Sequence, residues 1–220
     1  MKKEVYGPEL IHQKTIKFIE DNKEEPFFLY VASIIPHAEL VAPEKIVKEF
    51  RGNYSPEKIF EGVDDGPDYR NGPYGSQKEC RATFAAMVSI LDQQVGEIME
   101  KVKELGLEKN TLIVFTSDNG PHKEGGADPE FFNSNGELKG YKRDLYEGGI
   151  RVPMIVSWPG KIKANTKTDH ISAFWDVFPT LGEIVEAEIP ANIDGISFLP
   201  TLTNNDENQK EHEYLYWEFH

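Results

Sequence analysis

One segment of this 220-residue sequence combines oxygen-bearing side chains in a pattern that suits a metal ion. The run from Ser117 to His122 places a carboxylate, Asp118, beside a carboxamide, Asn119, and such oxygens are typical ligands of calcium or magnesium. An Asp-Asn-Gly run is also typical of a plain turn, because these residues tolerate turn conformations. Its position after an apolar run and before a glycine-rich segment favours the metal-ligand interpretation.

Two further segments offer a histidine and a lysine. His37 follows the apolar run 27–32 and could give a proton to a leaving group, although a lone histidine is more often structural. Lys142 lies near glycines that let the backbone approach an anion, so it could neutralise developing negative charge. The alternative for Lys142 is a solvated pair with Arg143 on a surface turn. Residues 120–151 carry five basic and six acidic side chains, so only individually placed cations could bind an anion there.

The elements that must position these segments follow from hydrophobic periodicity. Helical spacing predicts helices over 9–22, after Pro43, and over 172–187. The longest apolar stripe precedes Gly106 and consists of Phe84, Val88, Leu91, Val95, Ile98, Val102 and Leu105. Residues 117–149 have no such period and hold seven of the 18 glycines, which is typical of a functional or disordered loop.

Short, continuous apolar runs predict strands that are covered on both faces. The predicted strands are 27–32, 111–116, 152–158 and 213–219. A helix-containing connection between the first two is typical of a βαβ crossover. We therefore expect an α/β fold with a largely parallel or mixed sheet flanked by helices.

The amino-acid composition argues against several kinds of binding partner and site. The chain has 24 basic and 38 acidic residues, a net charge of −14, which argues against binding to nucleic acid. No apolar stretch approaches the length of a membrane helix, so we expect no membrane insertion. The single cysteine, Cys80, excludes an internal disulfide and any site built from several thiolates.

In this order, the three segments resemble the sulfatase family. The resemblance runs from about Phe27 to Phe219, and its last motifs are Trp158-Pro-Gly and Asp194-Gly195-Ile-Ser-Phe-Leu-Pro. It is carried by Phe27-Phe-Leu-Tyr-Val-Ala with Pro36-His37, by Phe115-Thr-Ser-Asp-Asn-Gly120, and by Lys142 ahead of Tyr146-Glu-Gly-Gly149. It implies an alkaline-phosphatase-like core.

The same resemblance implies roles for particular residues. Asp118 and Asn119 would bind calcium, while His37 and Lys142 would contact the sulfate group. His37 would also be a candidate acid for the departing alcohol, and His122 would line the pocket towards the sugar.

The implied activity is hydrolysis of sulfuric esters, with a sulfated carbohydrate or an aryl sulfate as the substrate and Ca2+ as the metal ion. The alternatives are a related metal-dependent phosphatase or phosphonate hydrolase, and a binding fragment without catalysis. The family also implies a periplasmic or secreted setting.

The family's nucleophile is not found. It is a formylglycine made from Cys or Ser in a Cys/Ser-x-Pro/Ala-x-Arg motif, and the run from Cys80 ends in Phe84 where arginine is required. We therefore expect residues 1–220 to be a partial catalytic domain that lacks the N-terminal nucleophile section and a C-terminal subdomain. Such a fragment would be inactive alone and prone to self-association.

Overall fold

A computed structural model describes residues 5–68 and 73–219. The chain divides into two compact units. The first unit comprises Met1–Leu107 and Gly120–Ile150, and the second comprises Glu108–Asn119 and Arg151–His220. Among the helices of the described residues, none has the length and apolarity that crossing a membrane requires.

The first unit is helical. Its helices are α1 (Gly7–Asp21), α2 (Glu44–Phe50), α3 (Cys80–Glu104) and the single turn α4 (Glu147–Ile150). Pro8 stands in the first turn of α1, where its missing N–H costs no helical hydrogen bond. Gly106 follows α3 with a φ of 72°, the left-handed conformation that ends many helices. The predicted helices 9–22, after Pro43 and 84–105 are confirmed.

In the N-terminal half of α3, the buried face differs from the predicted stripe by about one residue, whereas Val102 of the stripe is buried. Its buried side chains include Thr83, Met87 and Ile90, whereas Val88 of the predicted stripe is 42% exposed. One residue corresponds to roughly 100° around a helix. Helix α3 packs against both α1 and α2, so two contacts and not one apolar stripe determine which of its side chains are buried.

Two contacts illustrate this packing of α3. Ala82 and Ala86 are fully buried and pack with Val47 of α2. On the side of α1, the amide of Gln94 donates to the carbonyl of Pro8 over 3.3 Å. Hydrophobicity alone does not reveal such positions.

The main core of the first unit also holds the loops that carry site residues. Cys80, Met87 and Ile90 of α3 pack in one cluster with Ile35, Leu40 and Ala127. Ile35 and Leu40 flank His37 in the sequence, and Ala127 follows the segment that contains His122. The core therefore fixes both loops against the same helix.

The second unit contains the sheet. Strand β1 (Ile113–Thr116) pairs with β2 (Met154–Ser157), with Ile113 opposite Ser157. The pairing is antiparallel, which fits the mixed form of the predicted sheet and not the largely parallel form, and the positions of the two strands are confirmed. The unit also holds α5 (Val177–Ile184), in the region predicted to be helical, and α6 (Leu199–Leu202).

The strands predicted at 27–32 and 213–219 do not form. Both segments lie outside the helices and ladders of residues 5–68 and 73–219. Phe28 and Tyr30 are 72% and 69% exposed, which contradicts the expectation of a strand covered on both faces. An apolar run becomes a strand only where a neighbouring strand completes its hydrogen bonds, and the described chain supplies none here.

A buried carboxylate organises the second unit. Asp176 is 1% exposed and accepts hydrogen bonds from the backbone N–H groups of Ala173 (2.7 Å) and Ile196 (2.8 Å). It also accepts one from Nε2 of His212 at 2.8 Å. These bonds join two distant stretches of chain, around Ile196 and His212, to the start of α5.

Candidate functional site

The glycine-rich loop from Gly120 to Ile150 is closed upon itself. The N–H of Gly120 donates to the carbonyl of Gly149 over 2.9 Å, and the N–H of Lys142 donates to the carbonyl of Pro121, also over 2.9 Å. A side chain at Gly120 would overlap the backbone of Gly148, so this closure requires glycine. The closure places Lys142 beside the start of the loop.

Lys142 and His37 are brought into direct contact, although 105 positions separate them. Nζ of Lys142 lies 2.7 Å from Nε2 of His37. The other ring nitrogen of His37, Nδ1, lies 2.6 Å from the carbonyl oxygen of Ala38 and donates to it. Because Nδ1 carries a proton, Nε2 is free to accept from the ammonium group.

His122 stacks on His37 but is held differently. The two rings lie 5.0 Å apart with an interplanar angle of 19°. Nε2 of His122 donates to the carbonyl of Pro36 over 3.1 Å, and Nδ1 accepts from the N–H of Glu124 over 3.3 Å. A ring that donates through one nitrogen and accepts through the other is neutral, and burial also lowers the pKa of His122.

Glu124 is the site residue that sequence reasoning missed. Its Oε2 lies 3.6 Å from both His37 Nε2 and Lys142 Nζ. Its Oε1 lies 2.5 Å from a guanidinium nitrogen of Arg143. The carboxylate thus faces three nitrogen groups at once.

Arg143 and Tyr74 complete the surroundings of Glu124. Arg143 has a φ of 80°, a left-handed backbone conformation that costs a non-glycine residue roughly 1 kcal/mol or more. Burial raises the pKa of Tyr74, and the Glu124 carboxylate raises it further. The Tyr74 ring also meets His37 edge-on, with centroids 6.4 Å apart.

A cavity of about 230 Å³ opens beside these groups. It is smaller than the roughly 300–1,000 Å³ of pockets that enclose drug-sized ligands, so it suits a small group rather than a whole sugar. Three cations and two carboxylates take part in its lining. The lining residues are His122, Lys123, Glu124, Tyr141, Lys142, Arg143 and Asp144.

Asp118 and Asn119 belong to the second unit, directly after β1. The Ser117 hydroxyl donates to the carbonyl of Asn119 over 2.9 Å and shapes the turn. Asp118 is exposed and Asn119 is half-buried. Within the described residues, no three His, Cys, Asp or Glu side chains are grouped as a metal site would require.

Comparison with known proteins identifies the family. The sulfatase family model matches residues 6–187, which is most of the chain. The chain belongs to the sulfatase family. The resemblance predicted from the three motifs is confirmed.

Two curated sulfatases illustrate the likeness. Steryl-sulfatase of Homo sapiens is 33% identical over 204 residues, which cover 91% of this chain and 30% of that protein. N-acetylgalactosamine-6-O-sulfatase of Bacteroides thetaiotaomicron is 31% identical over 212 residues, which cover 93% of this chain and 36% of that protein. The chain thus spans about a third of the length of these sulfatases.

Solved sulfatase structures share the fold. The crystal structure of Ps i-CgsB in complex with k-i-k-neocarrahexaose is 29% identical, with a TM-score of 0.70 over 93% of this chain and 40% of that one. A sulfatase from work on glycosaminoglycan metabolism by Bacteroides thetaiotaomicron gives 29% identity and a TM-score of 0.68, covering 92% and 38%. The predicted α/β class is confirmed at this level.

Cys80 has the surroundings of a structural residue in this sulfatase chain. It begins α3, is 1% exposed and packs in the main core. Burial raises the pKa of its thiol, which disfavours the thiolate. This agrees with the sequence interpretation that Cys80 belongs to a helix start and not to a nucleophile motif.

Proposed function

We propose that this chain is part of an enzyme that hydrolyses sulfate esters of carbohydrates. Membership of the sulfatase family supports the reaction, and the likeness to an N-acetylgalactosamine-6-O-sulfatase supports the class of substrate. The observation that carries the proposal is the contact between Lys142 Nζ and His37 Nε2 beside a small cavity.

Lys142 would bind the sulfate oxygens. Its ammonium group is fixed by a 2.7 Å contact with His37, and its side chain is only 21% exposed. A fixed cation in a partly dry pocket stabilises negative charge better than a mobile surface lysine does, because little reorganisation is needed as charge develops.

His37 would serve the leaving group. Because Nδ1 donates to Ala38, the ring presents Nε2 to the site. A protonated His37 can give a proton from Nε2 to the ester oxygen as the sulfur–oxygen bond breaks.

His122 would border the substrate through its ring. It lines the cavity, while both of its nitrogens bond to the protein itself. Its stacking also fixes the plane of His37, so its proposed role combines a boundary towards the sugar with support of the catalytic histidine.

Asp118 and Asn119 would supply oxygens to calcium. A carboxylate and a carboxamide match the chemistry of this ion, but they provide only part of the six to eight oxygens that calcium takes. The pair therefore fits as part of a metal shell. Calcium would supply positive charge, and the formylglycine of the family would supply the nucleophile. A periplasmic or secreted setting, where calcium is plentiful, belongs to the same proposal.

The test uses the full-length protein that contains these residues. We expect hydrolysis of an aryl sulfate, and a fall in kcat/KM of about 100-fold or more in Lys142→Ala, equivalent to roughly 3 kcal/mol of transition-state stabilisation. The matched control is Lys139→Ala, because Lys139 lies in the same loop with its ammonium group 3.8 Å above the Tyr146 ring.

Two results would contradict the proposal. If both lysine variants lose activity equally and slightly, Lys142 is an ordinary surface cation. If an aryl phosphate is hydrolysed much faster than the aryl sulfate, the enzyme is a phosphatase of similar architecture.

A further inference from the structure

The carboxylate of Glu124 has an unusual environment. Its side chain is 16% exposed, and its Oε2 atom is buried without a hydrogen-bond partner among the described residues. That atom lies 3.6 Å from Lys142 Nζ and from His37 Nε2, beyond hydrogen-bond distance but well within the range of strong electrostatic attraction. A buried carboxylate oxygen held in this way is costly to the fold unless nearby positive charge compensates it.

The hydrogen bonds around His37 show where positive charge is needed. Since Nδ1–H is bonded to Ala38, a proton for a leaving group can come only from Nε2. His37 must then carry both ring protons and a positive charge before the transfer. The stacked His122 is neutral, and the Lys142 ammonium group 2.7 Å from Nε2 opposes a second positive charge on His37. The compensating negative charge is therefore that of Glu124, whose Oε2 lies 3.6 Å from Nε2.

The second carboxylate oxygen of Glu124, Oε1, contacts the loop that carries Lys142. Oε1 pairs with Arg143, the residue that follows Lys142 and adopts the left-handed conformation. This ion pair restrains the backbone next to Lys142. A single carboxylate thus acts on both groups that the proposed reaction uses.

We propose that Glu124 is a positioning residue of the sulfatase site, a role that rests on the proposed function. It keeps Lys142 aligned through Arg143 and stabilises the protonated form of His37. As the nucleophile of the proposed reaction forms a bond to sulfur, the bond between sulfur and the alcohol oxygen breaks, and the electron pair of that bond stays on the alcohol oxygen. That oxygen takes the proton from Nε2, and His37 returns to its neutral form.

Simple electrostatics predicts a different effect for this residue. A carboxylate beside an anion site repels sulfate, so its neutralisation should leave sulfate binding unchanged or make it tighter. A positioning role predicts slower turnover from the same change. The inhibition constant for inorganic sulfate measures the electrostatic repulsion, and kcat measures the effect on positioning.

The experiment compares Glu124→Gln with Glu124→Asp in the full-length protein. We expect Glu124→Gln to lower kcat at least tenfold while the inhibition constant for inorganic sulfate is unchanged or lower, and Glu124→Asp to recover part of kcat. The matched control is Glu130→Gln, which removes an exposed carboxylate of the same loop that pairs with Lys123 at 2.6 Å. This control should keep the kcat of the parent.

Several results would overturn the inference. One is a kcat in Glu124→Gln within twofold of the parent, which would make Glu124 a repulsive neighbour only. Another is an equal loss of kcat and sulfate binding without recovery in Glu124→Asp, which would indicate general disruption.

If the parent hydrolyses no sulfate ester, the proposed function fails by itself, and the ¹⁵N signals of the His37 ring decide the positioning role. We expect Glu124→Gln to shift these signals and Glu130→Gln to leave them in place. Unchanged signals in Glu124→Gln would overturn the inference.

Discussion

The two units of the chain are stabilised in different ways. Among the described residues, most buried apolar side chains lie in the first unit, and the second unit contributes Pro179 and Phe198. The second unit instead buries a carboxylate, Asp176, and a hydroxyl, Thr180, each 1% exposed. The Thr180 hydroxyl donates to the carbonyl of Asp176 over 2.7 Å and accepts from the N–H of Phe198 over 3.0 Å.

This difference predicts how each unit responds to mutation. An apolar core spreads its stabilisation over many contacts, so a single loss is limited to the atoms removed and the cavity left. A buried polar network concentrates its stabilisation in a few hydrogen bonds, because removal of one partner leaves the others unpaired. The site-bearing unit should therefore tolerate more single changes in its interior than the unit that carries the strands.

The largest effect on stability is expected from Asp176→Ala. This change leaves two backbone N–H groups and His212 without their acceptor, and we expect a loss of about 3–5 kcal/mol in the second unit. Hydrogen exchange followed by mass spectrometry would show faster exchange in the second unit only. Asp169→Ala, at an exposed position, is the control. Equal acceleration in both units would mean that their stabilities are not independent.

A change of pH should act on the first unit through His122. Burial lowers the pKa of His122 in the folded protein, so the unfolded chain binds a proton first as the pH falls below about 6.5. The contribution of neutral His122 is therefore present above that value and is lost as the pH falls through the lower, folded-state pKa. Denaturant unfolding from pH 8 to pH 5 should show this loss, and His122→Gln should reduce it. An identical slope in the variant would assign the loss to other groups.

The smallest effect is expected from Tyr6→Phe in the first unit. The Tyr6 hydroxyl is buried without a hydrogen-bond partner in the described residues, and burial raises its pKa to about 12. Removing an unpaired hydroxyl should leave stability unchanged or raise it by up to about 1 kcal/mol. Thermal unfolding measures this, with Tyr216→Phe as an exposed control. A clear loss of stability would show that the hydroxyl has a partner in solution.

The sequence predicts the helices better than the sheet. Helices such as α1 and α3 make their hydrogen bonds locally, so periodicity and a terminal glycine locate them. Strand pairing depends on segments far apart in the chain, which is why 27–32 looks like a strand and yet pairs with nothing in the described residues. For the same reason, the local sequence pattern does not predict whether β1 and β2 pair in a parallel or an antiparallel direction.

The site shows a similar limit. The family motifs locate His37 and Lys142, and His122 stands close in sequence to Asp118 and Asn119. The first unit brings His37, His122 and Lys142 together. Glu124 stands two residues after His122, but nothing in that spacing shows that its carboxylate turns towards His37 and Lys142. Its role depends on how the loop closes.

Because of that closure, the position of Lys142 does not depend on the length of the loop. The bonds from Gly120 to Gly149 and from Lys142 to Pro121 join its two ends, while the stretch around Asn133–Glu137 lies between them, largely exposed. Doubling the length of a flexible loop adds only about 0.6 kcal/mol of closure entropy. Insertions or deletions in that stretch can therefore accumulate between related enzymes and reshape the surface next to the cavity, while the ammonium group of Lys142 stays where it is.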